Sequence, residues 1–262
     1  MNRPRLTALI PTRDEEKNLP DCLASVAGWV DEIVVVDSLS TDRTADIARD
    51  VGARVLERLF DTLPRQKNWA LERVGGDWVL ALDADERVTP ELRAEIAALF
   101  AEGDPAADAY EVGRINYFFG LRARGGGVGR DRIVRLFRRR LRFTDVMVHE
   151  RLDTAGARVG RLRGALTHFS TWSIDACCAK QHAYARLRAR EERAKGRRGA
   201  GLFSMMLRPA WRFFRMYALQ GGFLMGRLGF VMAAFNAMGV FERYARLWAG
   251  EVVPTDRNGE DA

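Results

Sequence analysis

The chain has 262 residues, of which 47% are apolar and 29% charged, and it carries a net charge of +7. This composition excludes a disordered, collagen-like or low-complexity protein, and the length suits one large domain or a domain with an appendage. The three cysteines, two of them adjacent, favour neither a disulfide framework nor a structural zinc site, and they fit a reducing compartment.

The charge is distributed unevenly along the chain. Residues 1–110 carry a net charge of −9, whereas residues 111–220 carry a net charge of +17. This asymmetry predicts that the second half meets an anionic partner. Because 38 of the 42 basic residues are arginine, a compositional bias is an alternative source of the excess.

The first hundred residues alternate between short β-prone runs and segments with helical spacing. This alternation predicts an α/β fold with a parallel sheet and right-handed crossovers. The carboxyl ends of parallel strands lie at one edge of the sheet, where open α/β sheets bind ligands. We predict strands at 5–11, 32–37, 54–57 and 77–83, and helices at 18–29, 40–51, 64–74 and 90–101.

The pattern changes after residue 105. The first apolar run turns acidic too early for a signal peptide, and no stretch of 18 uncharged apolar residues predicts a transmembrane helix, so we expect a cytoplasmic protein. We predict strands at 109–119 and 131–137, one or two more within 143–152, a helix at 173–195, a Gly/Arg hinge at 196–201, and two helices within 202–248 broken near 221–222.

Polar clusters follow three of the predicted strands, at residues 11–16, 37–38 and 83–86. Because these strand ends share one edge, the clusters are expected to meet in one crevice. The most specific of the three clusters is Asp83-Ala84-Asp85, since two carboxylates on a turn can bind a sugar hydroxyl and a divalent cation at the same time. A solvated acidic loop is the alternative for this cluster.

Four other polar side chains have less specific patterns. Asp37, at a strand end, can accept a hydrogen bond from a base or a ribose. Lys67 offers a compact charge for a pyrophosphate, or is an ordinary cation of a helix surface. His168 and His182 are expected to have structural roles.

Four segments in order carry a family resemblance: ALIPTRDEEKNL, EIVVVDSLSTDRT, RQKNWAL and DWVLALDADE, all within residues 5–100. They resemble the successive motifs of family 2 glycosyltransferases with the GT-A fold. The remainder is similar to the lipopolysaccharide core β-glucosyltransferase branch, through VHERL at 148–152, LTHFS at 166–170 and GGFLMGRLGF at 221–230. Met225 stands in the last segment where an Asp is expected.

The resemblance implies a domain organisation. Residues 1–170 would form the GT-A domain, with a nucleotide-sugar half at 1–104 and an acceptor half at 105–170. Residues 171–262 would form a helical extension.

The resemblance also implies an inverting, metal-dependent hexosyltransferase that uses a UDP-sugar. Asp85, with its neighbour Asp83, would hold Mg²⁺ or Mn²⁺ on the diphosphate, and Glu150 would be the catalytic base. Pro11, Thr12 and Glu15 would line the nucleotide pocket, Asp37 would read the uracil, Asp83 would approach the ribose, Lys67 would assist at the diphosphate, and Arg13 and His149 would support the site.

The implied acceptor is a lipopolysaccharide core or a related envelope glycan, at the cytoplasmic face of the inner membrane. A polyprenyl phosphate or capsular acceptor, and a non-catalytic nucleotide-sugar-binding scaffold, stay open as alternatives. The basic run RLFRRRLRF at 135–143 either binds an anionic lipid-linked acceptor or membrane headgroups, or is the ordinary surface of an arginine-rich protein. It lacks a base-reading motif, so we expect no nucleic-acid partner. Aromatic and basic residues alternate over 202–248, which fits either a membrane interface or packing on protein.

Overall fold

The computed structural model describes residues 3–144, 151–197 and 199–250. The chain forms two compact units. The first consists of residues up to 117 together with 130–170, and the second of residues 118–129 together with those from 171 onward.

The first unit contains a parallel half-sheet built from the amino-terminal part of the chain. Its strands are ordered β3-β2-β1-β4, and the three neighbouring pairs are all parallel. They are separated by helices, as the sequence predicts. The elements are β1 (Leu6–Thr12), α1 (Leu19–Val26), β2 (Glu32–Asp37), α2 (Thr44–Asp50), β3 (Arg54–Glu57), α3 (Leu63–Leu71) and β4 (Trp78–Ala81).

The same sheet continues beyond β4 through strands from later in the chain. The order runs on as β4-β8-β6-β9-β5, and the register of β8 against both β4 and β6 is antiparallel. The elements are β5 (Glu86–Val88), α4 (Pro90–Ala101), β6 (Ala109–Phe118), β7 (Leu121–Arg122), β8 (Arg130–Arg138) and β9 (Val159–Thr171). The α/β class predicted from the sequence is confirmed.

The sheet is buried on both faces in its centre. All seven residues of β1 and all four of β4 are buried, which is why both strands are continuous apolar runs. Trp78 is fully buried and meets the edge of the Phe100 ring on α4, with ring centroids 5.7 Å apart. Helix α4 begins where predicted, because the Thr89 side chain accepts a hydrogen bond from the Leu92 backbone N–H and Pro90 occupies the first turn.

Three strands and one segment differ from the sequence prediction. β5 and β7 have three and two residues, too few for a periodic pattern. β9 was missed because glycine and charged residues interrupt its apolar positions. Within 143–152, the described residues form a bridge between Phe143 and Leu152, and residues 145–150 lie outside the described part of the chain.

The second unit is mainly helical. Helix α5 (Ile174–Ala194) is followed by α6 (Leu202–Phe214), a π-helical turn (Arg215–Leu219), a 3-10 turn (Gly222–Met225) and α7 (Arg227–Ala249). The predicted break is confirmed, and Gly221 there has φ +71°. None of the described helices is long and apolar enough to cross a membrane.

Met225 has a defined role in this unit. Its Sδ accepts hydrogen bonds from the backbone N–H groups of Arg124 at 3.1 Å and Gly125 at 3.2 Å. The thioether therefore meets two donors where a carboxylate was expected, although sulfur is a weaker acceptor.

Gly164 lies where β9 crosses α4 and gives a test of this packing. A Cβ added there would lie 2.5 Å from Leu92 Cα and 2.8 Å from Leu92 N, both backbone atoms. Gly164→Ala is therefore expected to lower the free energy of unfolding by about 1–3 kcal/mol through overpacking. Urea denaturation would measure it.

Gly199→Ala is the control, because a Cβ there would meet no atom within 4 Å. Equal unfolding free energies for the two variants would contradict the close approach of β9 and α4.

Candidate functional site

The ends of β1 and β2 lie side by side. Thr12 pairs with Asp37 in the parallel register, and Thr12 Oγ1 donates to Asp37 Oδ1 at 3.0 Å. Asp37 Oδ2 accepts from the Ser40 backbone N–H at 2.8 Å, and the Ser40 hydroxyl donates to Oδ1 at 2.5 Å. Asp37 thus joins the end of β1 to the loop after β2, and it is 2% exposed.

The loop after β1 is fixed by contacts with the loop after β2. Asp14 has φ +53°, and its Oδ1 accepts from the Thr41 backbone N–H at 2.7 Å. The Glu15 backbone N–H donates to Thr44 Oγ1 at 2.8 Å. These bonds place the Glu15 carboxyl at the sheet edge, while the side chain of Arg13 is exposed.

Glu15 also lies in the field of Asp85. Burial raises the pKa of the Glu15 carboxyl, a hydrogen bond from Asn18 lowers it, and the negative charge of Asp85 raises it. The net pKa shift is upward. Two of the predicted site residues, distant in sequence, are therefore electrostatically coupled.

Asp83 lies between two cations. Lys67, on α3, is fully buried, and its Nζ lies 3.0 Å from Asp83 Oδ1. Arg135, on β8, donates from Nη2 to Asp83 Oδ2. Burial would raise the pKa of Asp83, but Arg135 and Lys67 outweigh it and hold the pKa far below its usual range. Asp83 is therefore a fixed carboxylate, with its side chain one-third exposed.

Arg135 connects this carboxylate to a buried one. Its Nη2 lies 2.8 Å from Oε1 of Glu86, whose side chain is fully buried. Glu86 Oε2 accepts from the Asp83 backbone N–H at 3.1 Å, which closes the turn between the two residues. Arg114 adds a second cation, with Nη1 at 3.4 Å from Glu86 Oε1, and it also pairs with Asp131 at 2.5 Å.

Asp85 faces His168 on β9. His168 Nε2 lies 3.2 Å from Asp85 Oδ2, and its Nδ1 lies 2.6 Å from Asn116 Oδ1. Asn116 Nδ2 lies 3.4 Å from Asp131 Oδ1, so the amide oxygen of Asn116 is the atom that faces His168. An amide oxygen only accepts, so Nδ1 of His168 carries the hydrogen.

With its Nδ1–H directed at Asn116, His168 presents Nε2 to the Asp85 carboxylate. The two atoms lie 3.2 Å apart, a separation that either a proton on Nε2 or a shared cation can join. The separation is close to that of adjacent ligands in an octahedral shell with distances of about 2.1 Å. The pair fits Mg²⁺ or Mn²⁺, and the imidazole favours Mn²⁺ of the two.

The nearby cations are neutralised by carboxylates. Lys67, Arg135 and Arg114 are paired with Asp83, Glu86 and Asp131. Within the described ranges, no three Asp, Glu, His or Cys side chains gather round one point. Two protein ligands suffice for Mg²⁺, which usually keeps waters and takes further oxygens from substrate phosphates.

The predicted base falls outside the described part of the chain, together with His149. The residues flanking this segment are firmly held. Thr144 N–H donates to the Arg151 carbonyl at 2.8 Å, and the side chain of Asn68 bonds both the N–H and the carbonyl of Phe143. Lys67 Nζ lies 5.4 Å from the centre of the Phe143 ring. Phe143 thus lies beside the Lys67–Asp83 pair.

Sequence reasoning missed several of these side chains. His168 was expected to be structural, Arg135 was counted within the basic run at 135–143, and no role was assigned to Arg114 or Asn116. Arg135 carried a usable signal, because it interrupts the apolar residues of β8 between Val134 and Leu136. No feature of the sequence around His168 distinguishes a metal ligand from a histidine that packs in the core.

Comparison with known proteins identifies relatives along the whole chain. The model of the family "Glycosyl transferase family 2" matches residues 7–162, well over half of the chain. The "Lipopolysaccharide core biosynthesis glycosyltransferase LpsC" of Rhizobium meliloti is 31% identical over 98% of this chain and 97% of its own length. An uncharacterised glycosyltransferase of Rickettsia typhi is 27% identical over 93% of this chain and 86% of its own.

Two solved structures are similar over parts of the chain. S. aureus TarS has a TM-score of 0.48 at 18% identity, covering 70% of this chain and 39% of that one. Glucosyl-3-phosphoglycerate synthase from Mycobacterium tuberculosis, solved with Mn²⁺, UDP and phosphoglyceric acid, has a TM-score of 0.34 at 22% identity. It covers 44% of this chain, which spans 43% of that one.

The cluster around Glu86 can be tested by its stability. Arg135→Met would leave the buried Glu86 carboxylate with the distant Arg114 and the Asp83 backbone N–H. We therefore expect the free energy of unfolding to fall by about 3–5 kcal/mol. The double variant Arg135→Met/Glu86→Met removes the stranded charge and should recover much of that loss. Urea denaturation of the single and double variants gives the coupling free energy between Arg135 and Glu86.

Arg140→Met is the control, because Arg140 is 67% exposed in its pair with Asp108, and it should have little effect. Strictly additive losses in the double variant would contradict a coupled buried pair.

Proposed function

This chain belongs to glycosyl transferase family 2, and we propose that it transfers a hexose from a UDP-sugar, with inversion, to a cell-envelope glycan. The observation that carries the proposal is the placement of the Asp85 carboxylate and His168 Nε2, which lie 3.2 Å apart at the sheet edge. A divalent cation that joins them would be presented to the diphosphate of the donor. The α/β GT-A fold predicted from the sequence is the fold of this chain.

The donor would lie along the carboxyl ends of β1, β2 and β4. Pro11, Thr12, Glu15 and Asp37 border the nucleoside part, and Asp83 faces the ribose. Because Lys67 and Arg135 keep Asp83 ionised, its carboxylate is available only as an acceptor, which suits ribose hydroxyls. Lys67 acts in this scheme through Asp83, since its ammonium is fully buried against that carboxylate.

Asp85 and His168 would hold the cation, which when bound stabilises the charge that develops on the leaving diphosphate. Asn116 orients His168 by accepting from Nδ1–H, so that Nε2 points towards Asp85. The low exposure of His168, 9%, limits the freedom of its ring. These residues therefore supply a preorganised pair of ligands.

Glu150 is proposed as the base. Its carboxylate would take the proton of the acceptor hydroxyl as the hydroxyl oxygen bonds to the anomeric carbon and the bond to the diphosphate oxygen breaks. Anchoring of the flanking Phe143 by Asn68, and the contact of Lys67 with its ring, support a position close to the donor.

The acceptor proposal rests on the relative of known role. LpsC, named as a lipopolysaccharide core biosynthesis glycosyltransferase, matches nearly the full length of both chains. We infer an acceptor of the same class, a lipopolysaccharide core or a related anionic glycolipid. The reaction would take place at the cytoplasmic face of the inner membrane, with the enzyme bound peripherally.

Calorimetric titration with UDP-glucose and other nucleotide sugars, with and without Mn²⁺, tests the proposal. We expect wild-type binding to require Mn²⁺, and Asp85→Asn and His168→Gln each to weaken it at least tenfold, because each removes one proposed ligand. Asp50→Asn is the control, since Asp50 is an exposed carboxylate at the end of α2.

The variant Glu150→Gln distinguishes a catalytic glycosyltransferase from a non-catalytic nucleotide-sugar-binding scaffold. It should bind the UDP-sugar like the wild type and lose about 10²–10⁴-fold in transfer to an extracted core acceptor. Absence of nucleotide-sugar binding under any metal condition would contradict the donor proposal. Full transfer activity in Glu150→Gln would remove Glu150 as the base.

A further inference from the structure

The helical unit contains a cleft lined by arginine. Its volume is about 460 Å³, within the usual range of ligand pockets. Helices α5, α6 and α7 all contribute to it. The five arginines of its wall are Arg188, Arg208, Arg212, Arg215 and Arg243, and the other lining residues include Trp211 and Asn236.

The cleft arginines of α6 and of the π-helical turn after it are not neutralised by carboxylates. Across the described ranges, no Asp or Glu oxygen lies within 4 Å of the guanidinium of Arg208, Arg212 or Arg215. Arg208 donates to the Tyr244 hydroxyl at 2.8 Å, and Arg212 to Asn236 Oδ1 at 3.0 Å, both neutral acceptors. On the other walls, Arg243 pairs with Glu192 at 3.3 Å and Arg188 with Glu191 at 3.6 Å.

Positive charge is therefore crowded in the cleft. Burial lowers the pKa of Arg212, and the charges of Arg215 and Arg243 lower it further. The Nε of Arg243 is buried without a hydrogen-bond partner among the described residues. The guanidinium charges that line one cleft repel one another, and an anion with several acceptor oxygens would relieve the repulsion.

The other side of α6 is apolar and exposed. Phe203 is 80% exposed and Met206 is 62% exposed, and no residue of α6 is buried. Trp211 lies at the border, since it lines the cleft and is itself 57% exposed. The helix thus presents an arginine row on one side and an apolar band beside it. The apolar band consists of Leu202, Phe203, Met206, Leu207, Trp211 and Phe214.

We propose that this cleft binds the phosphate of an anionic membrane lipid, while the apolar band of α6 enters the interface between headgroups and acyl chains. A basic row beside exposed aromatic and aliphatic residues is the arrangement of interfacial helices. Anionic headgroups supply the phosphate oxygens that guanidinium groups bind in pairs. The inference rests on the proposed membrane location of the enzyme and assigns the side chains responsible.

Charge complementarity and the apolar band together select this occupant. A soluble phosphate would satisfy the arginines and leave the apolar band exposed. A nucleic acid would extend along a basic surface, whereas these guanidiniums converge on one concave site beside apolar side chains. Only a phosphate attached to a hydrocarbon uses both features.

Vesicle flotation of the full chain tests the assignment. Vesicles of phosphatidylcholine with phosphatidylglycerol are compared with pure phosphatidylcholine, for the wild type and for Arg212→Gln/Arg215→Gln. We expect the wild type to float only with the anionic vesicles. The double variant should bind them about thirtyfold more weakly, the change expected for two arginines near an anionic surface.

The matched control is Arg122→Gln/Arg190→Gln, which removes two charges of the same unit outside the cleft. It should bind almost like the wild type. Phe203→Gln/Met206→Gln tests the apolar band, and it should weaken vesicle binding without changing calorimetric binding of inorganic pyrophosphate. Circular dichroism of all variants verifies that they fold.

Several outcomes would overturn the inference. An equal loss in the cleft and control variants would assign vesicle binding to net charge. If the cleft variant loses pyrophosphate binding but keeps vesicle binding, the cleft binds a soluble anion. If duplex DNA competes with the vesicles, the cleft binds nucleic acid. Nucleotide-sugar titration of the same preparations reports the donor site separately, so failure of either proposal is visible without the other.

Discussion

The site depends on the ion cluster in which Lys67 and Arg135 hold Asp83. Both cations are buried, one from α3 and one from β8, and they reach the two oxygens of one carboxylate. A buried cation without a partner is costly, so the cluster fixes the turn after β4 as well as its charge. Asp85, two residues on, lies against His168.

Most of the parallel half of the fold was predictable because each of its elements carries a local pattern. Strands β1, β2 and β4 are buried on both faces and read as apolar runs, and Thr89 and Pro90 mark the start of α4. β5 and β9 were not predictable, since their pairing joins Glu86 to His168 across 82 positions of the sequence. Pairing at that distance leaves no mark in either segment.

The site residues also divide into those that the sequence predicts and those that it does not. The carboxylates at the strand ends were found because parallel topology brings strand ends together. The partners that set their chemistry come from the antiparallel strands: Arg135 from β8, Asn116 from β6 and His168 from β9. A role for His168 follows only from the placement of its Nε2 against Asp85, which the hydrogen bond from Nδ1 to Asn116 orients. The arginine cleft of the second unit likewise needs three helices in place before its charges converge.

The central claim is that the ion cluster leaves Asp85 and His168 to hold one cation for the donor diphosphate. Pulsed electron paramagnetic resonance of the protein with Mn²⁺ and UDP tests it most directly. The account predicts a nitrogen hyperfine coupling to Mn²⁺ that disappears in His168→Gln and persists in His182→Gln. Bound Mn²⁺ with no nitrogen coupling in the wild type, or a coupling that survives His168→Gln, would contradict it.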